Sequence, residues 1–344
     1  MTMIHLAANE PNPAIFTDTF RTALEAFGTL TVVKHAAALS SEERAALVRE
    51  HDVLLTSWGS ASIPAALSTA PGKLRYICHA TGGMKDIIPV ELIHAGIPVT
   101  NWGDAPAGEI AEGTLTLLLA MLKNLRAHIE EKRGGGWNGT GSSVALRNGS
   151  LRNLRVGLYG IGMIGRRFAE MIITLGAKVH AFDPYAPEFP AGVRPVQSLQ
   201  ELFAQADAVS LHAGVNPKTE KSVTAELLAL LPDGGIVINT ARGKIIDEDA
   251  LYTELQSGRL RAGLDVLDHP VTGDRLPPDH PARQWPNVIF TGHAVGLSQW
   301  PIAAADPHGP LKPLHEVALD NIGRFTRGEP LRFRITPELY ERMT

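Results

Sequence analysis

The sequence of 344 residues predicts an α/β protein built from doubly wound parallel sheets. Three observations carry that expectation. Short apolar runs alternate with helical patterns from end to end. Most of the runs are rich in Val, Ile and Leu without polar alternation, as strands buried on both faces are. The length also exceeds what one hydrophobic core usually organises, so two domains are expected.

The first series of expected strands is Met3–Ala8, Leu30–His35, Val53–Ser57, Tyr76–Thr81 and Pro98–Trp102. The second is Arg155–Gly160, Lys178–Asp183, Ala208–His212, Ile236–Thr240, Ala262–Leu267 and Val288–Thr291. Between them one helical stretch runs over Ala107–Lys132, opened near Pro106 and stopped by Gly134, Gly135 and Gly136. Its apolar face includes Ile110, Leu117, Leu118 and Met121. Residues 134–150, rich in Gly, Asn and Ser, read as loop. A last helical stretch over Pro310–Thr326 precedes Gly328, Glu329 and Pro330.

Composition narrows the partners. Hydrophobic residues make up 44% and charged residues 20%, ordinary for a globular protein. A net charge of -4 gives no reason to expect nucleic acid or an anionic membrane. Cys78 is the only cysteine, which excludes an internal disulfide and a multi-thiolate zinc site; it is expected as a small buried apolar residue. The longest apolar stretch, around Leu115–Leu122, is too short for a bilayer. With no signal-peptide pattern at the N-terminus, a cytoplasmic location is expected. Metal is not expected, because no H-E-x-x-H occurs and the scattered His and Asp lack ligand spacing. His308 and His315 are expected at the surface.

The strand pattern Arg155–Gly160 runs into G-I-G-M-I-G, with Gly160, Gly162 and Gly165, and then into a helical pattern. Lys178–Asp183 reads as a second strand, and Asp183 follows Gly165 by 18 residues. Each part has a physical task. Gly160 permits a tight turn, Gly162 lets backbone approach a pyrophosphate, and Gly165 lets helix and strand pack closely. The N–H groups and dipole of the helix start hold phosphates. Asp183 would accept hydrogen bonds from the adenosine ribose, and its charge would repel a 2′-phosphate, so NAD is favoured over NADP. Glycines alone often mark structural turns; the order strand, loop, helix, strand, acid makes this a dinucleotide site.

Two later segments bear chemistry. I-N-T-A-R-G, Ile238–Gly243, puts Arg242 just past the end of a buried strand, the edge where open α/β sheets bind ligands. Its planar fork suits a carboxylate and its charge polarises a carbonyl. N-V-I-F-T-G-H-A-V-G, Asn287–Gly296, puts His293 at another strand end, where a histidine can exchange protons.

Together with V-T-N-W-G-D-A-P-A-G-E-I-A-E-G-T-L-T-L-L-L-A (Val99–Ala120), L-H-A-G-V-N-P-K-T-E (Leu211–Glu220) and A-G-L-D-V-L-D (Ala262–Asp268), these segments make the chain resemble the D-isomer-specific 2-hydroxyacid dehydrogenases. The resemblance implies a flavodoxin-like substrate domain from residues 1–106 and 300–344, a Rossmann-type NAD domain over 107–299, and a cleft between them. It implies reversible hydride transfer between nicotinamide and C2 of a small 2-hydroxy or 2-oxo acid, in a homodimer. Arg242 would hold the substrate, and His293 would move the proton. Asp265 would meet the nicotinamide side, and Met163, Ile164, Thr240 and Ala241 would line the cofactor. Thr81, Gly82 and Gly83 resemble the loop that takes the substrate carboxylate. The A-T-G loop resembles that of hydroxypyruvate and glyoxylate reductases. Other readings on this scaffold are an NAD(H)-sensing binding protein and a dehydrogenase for phosphite or formate.

The sequence departs from the family at one chemical position. The family pairs its catalytic His with a Glu, yet no Glu lies between Glu254 and Glu316. Asp274, 19 residues before His293, falls at the Glu position if His269–Gly273 is a short insertion; Asp268 competes. Asp is one methylene shorter, so backbone must move closer to keep the contact. The family's Pro before the His is Gly292 here, and Gly214 replaces another Pro. Trp300 is a candidate pocket wall, with a packing role as the alternative.

Overall fold

The computed structural model describes residues 1–9, 15–135, 148–296 and 308–342. The chain divides into two compact units, residues 1–106 with 299–344, and residues 107–298.

The first unit holds a five-stranded parallel sheet: β1 (Thr2–Leu6), β2 (Thr29–Val33), β3 (Val53–Thr56), β4 (Tyr76–His79) and β5 (Val99–Thr100), in the order β2-β1-β3-β4-β5. This is the flavodoxin-like arrangement. Successive residues feed opposite faces. Met3, Val53, Leu55, Tyr76 and Cys78 enter one core; Ile4, Leu6, Leu54 and Ile77 enter the other. Two-sided burial is why these strands lack polar alternation. The C-terminal helix Pro313–Arg327 packs Ala318 and Ile322 into the core of Tyr76 and Cys78. A short helix, Pro337–Arg342, which the sequence pattern did not reveal, buries Tyr340.

The second unit holds seven parallel strands: β6 (Arg155–Tyr159), β7 (Lys178–Phe182), β8 (Val193–Pro195), β9 (Ala208–Leu211), β10 (Ile236–Asn239), β11 (Arg261–Leu264) and β12 (Val288–Phe290). Their order is β12-β11-β10-β9-β6-β7-β8, the Rossmann order with one further strand. The sheet reverses direction of growth between β6 and β9, and a ligand crevice is expected at that switch point. The expected α/β class with two doubly wound sheets is therefore observed. The short edge strand β8 was not expected from sequence; Pro195 tolerates an edge.

Two expectations change. The helix expected over 107–132 is two helices, Ala107–Leu122 and Leu125–Arg133, broken where Asn124 turns left-handed at φ 47. Arg261 donates to the Met121 carbonyl at 2.9 Å and to Asn124 Oδ1 at 3.1 Å, satisfying the first helix's end. His315 is not a surface residue. It is fully buried in the C-terminal helix, stacks on Phe20 with centroids 4.5 Å apart, and donates to the Ile15 carbonyl at 2.7 Å. Burial pushes its pKa down to about 4. His308 is exposed, 3.7 Å from Asp18.

Candidate active site

The turn after β6 is shaped by missing side chains. Gly160 has φ +95, and a Cβ there would lie 2.8 Å from the Ala213 nitrogen. A Cβ on Gly165 would lie 2.5 Å from the Gly160 carbonyl oxygen. Gly162 differs: a Cβ there meets nothing within 4 Å. It caps the helix Met163–Thr174, and among the described residues no side chain bonds the first-turn N–H groups. Open space against bare helical N–H groups fits a pyrophosphate. Met163, 48% exposed, and half-buried Ile164 begin that helix. Asp183, just past β7, accepts from Ile161 N and Tyr185 N, each at 2.9 Å. One N–H on each oxygen leaves lone pairs for ribose hydroxyls. These residues fit a dinucleotide.

Beyond β9 the same sheet carries the remaining site residues on three neighbouring strand ends. Past β10, Asn239 staples the turn: its side chain accepts from Ala241 N at 3.0 Å and donates to the Arg242 carbonyl at 2.9 Å. Thr240 is buried and its hydroxyl lies 2.8 Å from that of Thr114. The Thr114 hydroxyl donates to Ile110 O, so Thr240 is the donor of the pair. Arg242 is half-buried. Its guanidinium donates to the Ala241 carbonyl at 2.7 Å and has no carboxylate within ion-pair distance among the described residues. Burial pulls its pKa down, opposed by the charge of Asp274, and it remains a cation.

Past β11, Asp265 is 3% exposed and clamps the loop after β12. Its Oδ1 accepts from the Thr291 hydroxyl at 2.6 Å, Ala294 N at 2.8 Å and Val295 N at 3.3 Å. Its carbonyl accepts from His293 N at 2.5 Å. The clamp holds two consecutive left-handed residues, Gly292 at φ 66 and His293 at φ 61. Proline cannot adopt positive φ, so this conformation requires the Gly292 departure.

Asp274, not Asp268, meets His293: its Oδ2 lies 2.5 Å from Nδ1. Asp268 instead donates its backbone N–H to Glu248 Oε1 at 2.6 Å. Residues His269–Gly273 form a closed turn, with reciprocal backbone bonds of 2.9 and 2.7 Å, and Val271 at its tip is 85% exposed. That turn doubles the chain back so that Asp274 Oδ1 accepts from Leu267 N at 2.6 Å. The turn thus brings the shorter acid within hydrogen-bond distance of His293. A cavity of about 720 Å³ lies here, lined by Asp265, Leu267, Asp274, Thr291 and His293 among others.

In the first unit, Thr81, Gly82 and Gly83 follow β4. Thr81 is buried, and a Cβ on Gly82 would meet the Trp102 ring at 2.6 Å. Sequence reasoning missed Asn239, Glu248 and the clamping function of Asp265. Asn239 and Asp265 stood inside quoted motifs, but no spacing rule says which backbone groups a side chain will reach. Trp300 lies outside the described residues.

The family model for the D-isomer-specific 2-hydroxyacid dehydrogenase NAD-binding domain matches residues 115–295. The chain is 33% identical over 261 residues to a hydroxypyruvate reductase of Thermotoga maritima, covering 76% of this chain and 82% of that one. It is 32% identical over 265 residues to a D-3-phosphoglycerate dehydrogenase of Methanocaldococcus jannaschii, covering 76% of this chain and 49% of the relative. The chain therefore spans about half the length of the phosphoglycerate dehydrogenases it matches. Among solved structures, a D-mandelate dehydrogenase of Rhodotorula graminis superposes with a TM-score of 0.78 at 22% identity, over 97% of both chains, which shows the shared fold. The glycine turn at β6 thus lies in an NAD-binding domain, and its cofactor is NAD. Motifs, sheet orders and relatives agree that this chain belongs to the D-isomer-specific 2-hydroxyacid dehydrogenase family.

Proposed function

We propose that this chain interconverts a small 2-oxo acid and its D-2-hydroxy acid, with residues 107–299 holding NAD and residues 1–106 with 300–344 forming the substrate domain. Bound NAD supplies the hydride acceptor or donor. Arg242 binds the carboxylate and polarises the carbonyl, because it is a half-buried guanidinium with donors to spare and no carboxylate partner among the described residues. Thr81, Gly82 and Gly83 supply backbone N–H groups to the same carboxylate. His293 gives its proton to the carbonyl oxygen in reduction and takes it back in oxidation. Met163, Ile164, Thr240, Ala241 and Asp265 line the cofactor.

The observation that carries this reading is the His293–Asp274 hydrogen bond at the strand edge that also bears Arg242. Asp274 fixes the imidazole through Nδ1, so Nε2 is the nitrogen that exchanges the proton. Asp274→Ala, which frees the ring to turn, should therefore lower kcat for carbonyl reduction while the NADH Kd stays at the parent value; an unchanged kcat removes Asp274 from the mechanism.

The direct test follows NADH absorbance with glyoxylate, hydroxypyruvate, pyruvate and bulkier 2-oxo acids. NADH consumption with at least one is expected. NADH binding without turnover of any, accompanied by cofactor-dependent association, would instead make the chain a sensor. A homodimer is part of the proposal: Leu125 and Ile129, one turn apart on helix Leu125–Arg133, are 49% and 42% exposed. Light scattering should show a dimer that Leu125→Lys with Ile129→Lys weakens.

A further inference from the structure

Beneath the Thr81–Gly83 loop lies a histidine that the mechanism above does not use. His79 ends β4 and is 1% exposed. Its Nδ1 lies 2.8 Å from the Thr56 hydroxyl at the end of β3. Its Nε2 lies 2.8 Å from the Thr81 hydroxyl and 3.2 Å from the Gly83 carbonyl oxygen. Both ring nitrogens are thus engaged, one on the sheet and the other on the loop.

The tautomer follows from the partners. A carbonyl oxygen only accepts, so Nε2 carries the proton and points it at Gly83 O, with Thr81 Oγ1 sharing it. Nδ1 is then an acceptor, and Thr56 donates to it. Burial pushes the pKa of His79 down to about 4, so the ring is neutral at neutral pH. From the other side, the Trp102 ring lies where any Gly82 side chain would go, and Trp102 N donates weakly to Thr81 O at 3.4 Å. The loop has few other tethers among the described residues. Its shape depends on an imidazole below and an indole beside it.

We infer that His79 is a positioning residue that sets the direction of the Thr81–Gly83 backbone through Nε2, and thereby the affinity for the substrate carboxylate. The inference rests on the reading that this loop receives the carboxylate. Turning the Gly83 carbonyl onto Nε2 pins the Gly83–Met84 peptide, and with it the course of the backbone that carries the Thr81, Gly82 and Gly83 N–H groups. Misplacement of a binding group by about 1 Å is enough to cost up to about a hundredfold.

The test uses two amides that imitate different halves of the ring. In His79→Gln the side-chain amide reaches where Nε2 stood; in His79→Asn it reaches only to where Nδ1 stood. Both bury an amide at one site, so thermal melting compares their folding directly. His79→Asn should raise KM for the preferred 2-oxo acid about tenfold to a hundredfold. Its kcat should change less, and its NADH Kd, read by nucleotide fluorescence, should not change. His79→Gln should stay within a few-fold of the parent KM. Thr56→Val, which removes only the partner on the sheet, should also stay within a few-fold. Equal KM values in the Asn and Gln variants, or a Thr56→Val change as large as that of Asn, would overturn the inference. Gly82→Val tests the underlying reading, because its side chain must displace the loop or the Trp102 ring. An unchanged KM in Gly82→Val removes the loop from substrate binding and the inference with it. A raised KM there with a normal His79→Asn leaves the loop's role standing and rejects His79 alone.

Discussion

Two segments of the same sheet do comparable work by opposite means. The turn after β6 owes its shape to what is absent: at Gly160 and Gly165 any Cβ would overlap backbone atoms 2.8 and 2.5 Å away. The loop after β12 owes its shape to what is present. Asp265 receives one hydroxyl and two backbone N–H groups from it, and Asp274 takes the His293 ring. The first turn is enforced by sterics and tolerates almost no change of residue. The second keeps His293 in a left-handed conformation that costs about 1–3 kcal/mol and persists only because its surroundings over-determine it. A phosphate cradle needs backbone brought close, whereas a proton-transferring imidazole needs to be aimed.

The widest separation between the two segments should come from His293→Ala. It should lower kcat about 10²–10⁴-fold, the usual contribution of a general acid, while NADH Kd stays at the parent value. A loss of NADH binding of similar size would mean that the two loops are one site energetically. Next in size are paired glycine substitutions within the first turn. Gly160→Ala should destabilise the protein by about 3 kcal/mol, since it combines positive φ with a backbone clash. Gly162→Ala should melt like the parent yet bind NADH more weakly, because its Cβ points into space that the protein leaves open. Equal melting losses in the two variants would show that Gly162 is structural and that the cradle is misplaced.

The same contrast explains what could be read from the sequence. A steric requirement leaves a mark at a fixed position, so the tight turn at Gly160 and the close helix–strand packing at Gly165 were legible. The sheets were legible because two-sided burial writes continuous apolar runs. A polar clamp leaves no such mark. Asp265 was expected to meet the cofactor; its bonds to the His293 loop were not foreseen, because only the folded backbone brings those N–H groups within reach. Asp274 could be placed opposite His293 by counting residues, yet choosing it over Asp268 needed the closed turn at His269–Gly273. His315 was misjudged because flanking prolines suggested an exposed tail, while Phe20 and Ile15, 295 and 300 residues away, supply the partners that bury it.

The smallest expected effect probes the clamp from behind. Glu248 accepts the Asp268 N–H and so holds the base of the turn that delivers Asp274. Burial raises its pKa from 4.5 to about 7; the Asp268 N–H opposes the shift, and the charges of Asp268, Asp249 and Asp274 add to it. Between pH 4.5 and 7 the folded chain therefore binds this proton more tightly than the unfolded chain does. Its contribution to stability is complete below pH 4.5 and is lost as pH rises through 7. Glu248→Gln retains an oxygen for the Asp268 N–H and cannot ionise. The variant should melt with the parent near pH 4.5 and about 2 °C above it at pH 8, the partial exposure of the group keeping the gap small. Melting curves in a buffer series decide the matter. A difference that is the same at every pH would mean that the Glu248 carboxyl acts only by filling space, and that the turn carrying Asp274 is held by its own backbone bonds.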